Sequence, residues 1–371
     1  MNKFLFILSI IFLTACASEK FISTLTMSDT LLNIKQRANQ ERTARGELAI
    51  ELNNETYNFI KQYVTKKNET GKIIERSWYF VPMMKKVFKE EGLPEDLVYL
   101  PVIESSYITS ALSPKKASGP WQFMAATGRL YGLENDWWHD ERKDPEKSTR
   151  AAAKHLKVLF NIFKDWNLAL ASYNAGDGRI RRALNKFKCK DYSSLKDIPG
   201  AIPSETYNYL PKFMAALVVI KYPSFFGITN LNLPEPLVYE KITVPDATDI
   251  SVIAKCIDKD ENTIYFYNPE LKQWATPPEK TNYELKVPVG TKDIFYERFN
   301  LIPPEERVTY RRHKIKAGET LWSISKYYNV PRTEIQSFNK INEKSIIREG
   351  SYLIIPIRGE RKTNITYNKE S

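Results

Sequence analysis

Cysteine and histidine are nearly missing from this chain, with three of each in 371 residues. Three cysteines cannot build a disulfide framework, and three scattered histidines make a histidine-rich metal site a poor reading. Long apolar runs are missing too. The uncharged stretch Phe4–Leu13 falls well short of the roughly 20 residues that a bilayer-spanning helix needs. No glycine-rich phosphate loop, metal-ligand spacing or Ser-His-Asp arrangement emerges, so no cofactor or metal is expected. Acid is in deficit, with 44 Asp+Glu against 55 Lys+Arg and a formal charge of +11. That surplus favours an anionic polymer, membrane or wall as neighbour without saying which. No nucleic-acid-binding module accompanies it, so no nucleic-acid partner is expected. What is present, 42% hydrophobic and 27% charged residues, excludes wholesale disorder, and the length suits two or three domains.

The N-terminus reads as an export leader: Lys3, a short apolar stretch, then the small residues Thr14 and Ala15 before Cys16. Leu13-Thr14-Ala15-Cys16 resembles the bacterial lipobox, which implies cleavage before Cys16 and its lipidation. Ala17 and Ser18 follow, with no Asp, which in a Gram-negative envelope implies sorting to the outer membrane, facing the periplasm. Cys189 and Cys256 are expected to be free, mostly buried thiols. Residues 16–47 are polar and read as a lipidated tether.

Helical signals dominate residues 48–230. Tyr57, Ile60 and Val64 fall at helical spacing, as do Met83, Met84, Val87 and Phe88 before a stop at Gly92. Leu97–Tyr107 reads as an apolar helix kinked at Pro101. Ser118-Gly119-Pro120 predicts a capped helix beginning at Trp121 and ending at Gly132. Further helices are expected from Asp144-Pro145-Glu146, across Leu168–Tyr173, and from Ser204-Glu205 to the stop at Pro223. Beyond Phe226 the texture changes to short segments separated by Pro-rich joints. Val244, Ile250, Ile253 and Asn268 recur as Ile315, Leu321, Ile324 and Asn339, an offset of 71 residues. The closing strands, Leu285-Lys286-Val287-Pro288 and Ile354-Ile355-Pro356, align after a three-residue gap. A repeat of this size predicts tandem small modules.

Chemistry concentrates at Glu104. It is the first acidic group after a mostly apolar run, and the next is Glu134. A carboxyl held among apolar side chains has its charged form disfavoured, so its pKa rises into the range a general acid needs. His139 and His155 read as surface or packing residues.

Four ordered motifs, Glu104-Ser105-Ser106-Tyr107, Gly119-Pro120-Trp121-Gln122-Phe123-Met124, Ala171-Ser172-Tyr173-Asn174-Ala175-Gly176 and Glu205-Thr206-Tyr207, resemble those of the goose-lysozyme-like lytic transglycosylases. The resemblance covers roughly residues 48–226. It implies that Glu104 is the catalytic acid and that Ser113 bonds to it and orients it. It also implies that Gln122 and Met124 line a sugar cleft, that Tyr173 and Asn174 face Glu104, and that Glu205 is a further cleft carboxylate bonding to substrate. Pro120-Trp121 stands where Gly-Leu or Ile-Trp is commoner, and Ser172 replaces the usual Ala. The implied reaction cuts the β-1,4 bond between N-acetylmuramic acid and N-acetylglucosamine in peptidoglycan, closing a 1,6-anhydro ring without water. A hydrolytic muramidase on the same fold and a non-catalytic peptidoglycan-binding lipoprotein are the alternatives.

His313–Ser325, Tyr328-Asn329-Val330, Ile335, Asn339 and Leu353–Pro356 resemble a LysM module, which implies a strand, two helices and a strand that bind N-acetylglucosamine-containing chains. The earlier copy has Ala247 in place of Gly318 and reads as a degenerate module whose glycan binding is open. The expected organisation is multidomain. Residues 1–15 are a leader, 16–47 the tether, and 48–230 a mainly α, lysozyme-like catalytic body. Residues 238–290 are the degenerate βααβ module, 309–358 a second, and 359–371 a polar tail. The expected partners are peptidoglycan glycan strands and, through Cys16, a membrane of the cell envelope; a monomer is expected.

Overall fold

A computed structural model describes residues 39–40, 48–49 and 51–359. The leader, Cys16, nearly all of the tether and residues 360–371 lie outside the described residues. The chain divides into two compact units, one holding residues up to Leu133 and Pro145–Leu237, the other Glu134–Asp144 and everything from Val238. Residues 134–144 thus leave the body that a single span of 48–230 would keep whole.

The first unit is helical. Asn53 caps α1 (Asn54–Thr65) by accepting the Thr56 N–H. The apolar positions Tyr57, Ile60 and Val64 lie on it. Helix α2 (Lys67–Glu90) buries Met84, Val87 and Phe88, and Gly92 follows with φ +70°. The segment expected as one kinked helix is two pieces: a 3₁₀ turn, Glu95–Tyr99, and the short α3 (Pro101–Glu104). Pro101 has no N–H to continue the ladder, so it takes the first position of a new turn instead of bending an old one.

Ser118-Gly119-Pro120 does not start a helix either. Ser118 is buried and bridges to both Leu112 and Phe123, Gly119 sits at φ +82°, and helix begins only at α4 (Ala125–Leu130). The reason is Trp121. The turn drives its ring into the core, where it is fully buried, stacks on Phe88 at 5.6 Å and donates Nε1–H to Thr149 Oγ1 at 2.9 Å.

Helices α5 (Pro145–Phe163), α6 (Trp166–Ala175), α7 (Asp177–Phe187) and α8 (Tyr192–Lys196) follow, with Asp165 capping α6 and Gly176 ending it at φ +87°. Helix α9 (Ser204–Lys221) passes through the middle against α1, α3 and α6. It buries Leu210, Phe213, Met214 and Leu217 among others, each worth about 1.5–3 kcal/mol of apolar burial. A helix apolar on most sides must be central, and that places both of its faces against functional elements.

The second unit contains the same supersecondary unit twice. The first copy runs β1 (Glu240–Val244), α10 (Ile250–Cys256), α11 (Glu261–Tyr267) and β2 (Tyr283–Val287), with the strands antiparallel. Helices α12 (Lys292–Phe299) and α13 (Pro304–Arg307) follow. The second copy is β3 (Tyr310–Lys314), α14 (Leu321–Tyr328), α15 (Arg332–Phe338) and β4 (Tyr352–Arg358). Asn268 and Asn339 play one part in both. Asn268 Nδ2 donates to the Ile264 and Lys286 carbonyls and its Oδ1 accepts the Lys286 N–H; Asn339 repeats this with Ile335 and Ile354. Each asparagine ties the end of its second helix to its closing strand.

The first copy extends past residue 290. Phe295 and Phe299 of α12 belong to its core, stacked at 4.9 Å. Residues 134–144 also dock on it: Asp140 N–H bonds to Glu270 O, Lys272 N–H to Trp138 O, and Lys286 Nζ pairs with buried Asp144. Cys189 is half-buried, Cys256 is buried, and neither forms a disulfide.

Candidate active site

Glu104 is the last residue of α3, so its backbone position is set by a single helical turn and by the residues after it. That next turn is strained: Ser106 and Tyr107 lie at φ +55° and +59°, two consecutive non-glycine residues in the left-handed region. Three bonds hold them. Arg76 Nε of α2 donates to Ser106 O at 2.9 Å, the buried Tyr107 hydroxyl donates to Val98 O at 2.8 Å, and Ser105 Oγ donates to Pro120 O at 2.8 Å. The turn behind the carboxylate is therefore fixed from three sides.

The Glu104 carboxyl points at α9, where the Tyr209 hydroxyl donates to Oε1 at 2.6 Å. Desolvation pushes its pKa up to about 7, against the opposing pull of the Tyr209 bond and of Lys212; Glu205 adds a smaller upward push. Glu104 is only partly shielded at the surface of the whole residue, but its carboxyl end sits among protein groups, and burial is the larger influence. Tyr209 and Tyr173 are both held well above the ordinary phenol range, chiefly by burial and next by the Glu104 charge. Both stay neutral donors.

Tyr173 of α6 donates to Trp121 O at 2.8 Å, which joins the third motif to the second. Behind it Phe123, Tyr131 and His155 form a ring cluster, with His155 5.3 Å from Tyr173 and its Nδ1 2.9 Å from the Tyr131 hydroxyl. Burial lowers the His155 pKa to about 4, so this histidine is neutral packing. Asn174 reaches the other side: its Nδ2 lies 3.4 Å from Glu205 Oε1, and its Oδ1 accepts from Thr206 Oγ1 at 2.8 Å. Glu205 itself is exposed. The structure thus brings Glu104, Tyr173, Asn174 and Glu205 to one region. No metal-ligand cluster is found among the described residues.

A transglycosylase SLT domain model matches residues 83–196, a model described as the LysM-like domain of lytic transglycosylase MltD matches 238–303, and a LysM model matches 313–356. Membrane-bound lytic murein transglycosylase D of Escherichia coli K12 is 26% identical over 306 residues, covering 80% of this chain and 67% of that protein. A "Putative tributyltin chloride resistance protein" of Alteromonas sp. (strain M-1) is 38% identical over 158 residues, 42% of this chain and 73% of that one. The chain belongs to the SLT-domain lytic transglycosylases. The solved lytic transglycosylase Slt of Pseudomonas aeruginosa aligns at 22% identity and a TM-score of 0.33, covering 39% of this chain and 24% of that chain. An overlap that partial adds nothing further.

Within this SLT-domain body, one expected contact is replaced, and two further expected positions lie on the loop before α4. The Ser113 hydroxyl does not bond to Glu104; it accepts the Ala117 N–H at 2.9 Å and closes its own loop. The partner of Glu104 is Tyr209. Gln122, at φ +48°, turns its Nε2 onto Gly119 O at 2.8 Å, and Met124 is 45% exposed just before α4. Tyr209 was missed although its signal was present. It lies four residues after Glu205, hence on the same helix face, whereas Tyr207 faces away and donates to Glu55 at 3.1 Å.

Proposed function

We propose that this protein is a peptidoglycan lytic transglycosylase in which Glu104 serves in turn as acid and base. The observation that carries this reading is a single shielded carboxyl, neutral up to about pH 7, with a phenol in contact. Protonated Glu104 delivers its proton to the glycosidic oxygen as the bond between N-acetylmuramic acid and N-acetylglucosamine breaks. The substrate's own N-acetyl group stabilises the cation at the anomeric carbon, replacing the second carboxylate of ordinary glycosidases. The Glu104 carboxylate, steadied by Tyr209, then removes the proton from the muramic 6-hydroxyl, whose oxygen closes the 1,6-anhydro ring. Tyr173, Asn174 and Glu205 line the sugar-binding side, with Gln122 and Met124 on the neighbouring loop. Ser113 acts through the shape of that loop.

The second LysM copy binds N-acetylglucosamine-containing strands, and the first is a spacer. Gly318, at φ +77°, Lys316 and Thr320 are exposed in the second copy. In the first copy the counterpart of Lys316, Pro245, is exposed and that of Gly318, Ala247, is half-buried, but that of Thr320, Asp249, is closed. Thr248, Asp249, Ala275 and Thr276 are buried and bonded to one another across the two loops, Thr276 N–H to Thr248 O at 2.9 Å. Cys16, in its lipobox-like setting, anchors the chain to a membrane of the cell envelope, the periplasmic face of the outer membrane. No helix among the described residues is long and apolar enough to cross a membrane.

Mass spectrometry of the products released from purified sacculi by the soluble form lacking Cys16 tests this function. Muropeptides ending in 1,6-anhydromuramic acid are expected. Reducing muramic ends would replace the reading with a hydrolytic muramidase, and no release would reduce the protein to a wall-binding lipoprotein.

A further inference from the structure

Helix α7 begins one residue after Gly176 and carries a charge pattern that neither the fold nor the acid at Glu104 requires. Residues 177–190 contain Arg179, Arg181, Arg182, Lys186, Lys188 and Lys190 against one acid, Asp177. All six cations are exposed. Asp177 pairs with Arg181, and no carboxylate among the described residues pairs with Arg179, Arg182 or Lys186. These three stand at i, i+3 and i+7, so they share one face and run about 10 Å along the helix. Ile180 and Ala183 are buried and hold the flank beside the stripe against the body. The helix starts beside the site's ring cluster, since the Asp177 charge acts on both Tyr131 and His155 behind Tyr173, and Arg182 folds back along it so that its Nη1 lies 3.4 Å from where a β-carbon on Gly178 would be. Like charges at such spacings repel. Lys186 Nζ also lies 5.1 Å from the Phe187 ring centre, yet a helix that holds three cations aligned without a carboxylate partner is arranged for an external anion.

We propose that Arg179, Arg182 and Lys186 receive the carboxylates of the peptide stems borne by the glycan, so that the preferred substrate is a peptide-bearing strand and not a naked one. This rests on the transglycosylase reading and deepens it. The stems hang from the muramic acid whose bond is cut, so their carboxylates fall within a few residues' length of Glu104. An extended peptide advances about 3.3–3.6 Å per residue, so the stripe matches about three stem residues. Guanidinium groups hold carboxylates in paired, parallel bonds. An anionic lipid surface fits less well, because no large apolar side chain is exposed between Asp177 and Lys190 to enter it.

The test uses the full chain and the triple variant Arg179→Gln, Arg182→Gln, Lys186→Gln, with uncrosslinked peptide-bearing strands and the same strands stripped of stems by an amidase. The expected result at low salt is a KM about tenfold higher for the variant on peptide-bearing strands, with the difference shrinking as salt screens the exposed charges. On stripped strands the two proteins should agree within about twofold, which also shows that the variant is folded. Equal losses on both substrates, or none on either, would overturn the proposal. Loss of binding to phosphatidylglycerol vesicles with glycan kinetics unchanged would overturn it in favour of a membrane role. Should neither protein release anhydromuramic products from either substrate, the transglycosylase reading fails on its own. Co-sedimentation with the two kinds of strand then still reads the stripe, since binding needs no turnover.

Discussion

The two units use buried polar groups in opposite ways. In the second unit Asn268 and Asn339 each satisfy an N–H and two carbonyls, and every bond serves the joint between a helix and a strand. In the first unit, burial acts on an ionisable group. Glu104 is packed until its carboxyl holds a proton to about pH 7, and the turn behind it is kept in a costly conformation by Arg76, Ser105 and Tyr107. One arrangement lowers the energy of the fold; the other raises it, which under the proposed mechanism prepares the acid. The difference implies that stability and activity respond to different residues.

Replacing Glu104 with Gln should show the widest split. Turnover of sacculi, read by chromatography of released muropeptides, should fall about a thousandfold or more, while the melting temperature does not drop. The pH dependence of stability should change as well. The free carboxyl ionises near 4.5 and the folded one near 7, so between these values the unfolded state has lost a proton that the folded state keeps. Stability contributed by this group therefore falls as pH rises through that window, and the Gln variant should lack that slope.

The asparagines should do the reverse. Asn268→Ala and Asn339→Ala each strand two carbonyls and an N–H at a helix–strand joint, costing about 2–3 kcal/mol in denaturant unfolding with turnover on short glycans unchanged. Asn268, fully buried, should cost more than Asn339. Equal effects on turnover would break the contrast. A smaller effect is expected from deleting residues 309–358: sedimentation with intact sacculi should weaken about tenfold, with short-glycan turnover retained. Smallest is Tyr209→Phe. Removing a donor that favours the Glu104 carboxylate should move the descending limb of the pH–rate profile to higher pH by about half a unit.

Legibility in the sequence tracked the same divide. The long helices from Asn54, Pro145 and Ser204 and the repeated strands were readable because apolar period and caps agree there. Asn268 and Asn339 were visible as a repeat, but their role was not, since a hydrogen-bond pattern has no sequence signature. The upward shift of the Glu104 carboxyl was legible from its apolar run. Its partner was misassigned to Ser113 because a bond across distant segments depends on packing, and Tyr209 reaches it from a helix 105 residues away. The turn at Gly119-Pro120 read as a helix start because the decisive contact, Trp121 stacked on Phe88, is long-range. The departure of residues 134–144 to the second unit had no local signal, for the groups that receive them lie more than a hundred residues later.

The central claim is that Glu104 is held as a neutral acid at the pH of the envelope. Difference infrared titration of wild type against Glu104→Gln reads that proton directly. A protonated-carboxyl band present in the wild type alone, disappearing with a midpoint near pH 7, is the predicted result. A midpoint near 4.5, the ordinary carboxyl value, would contradict it.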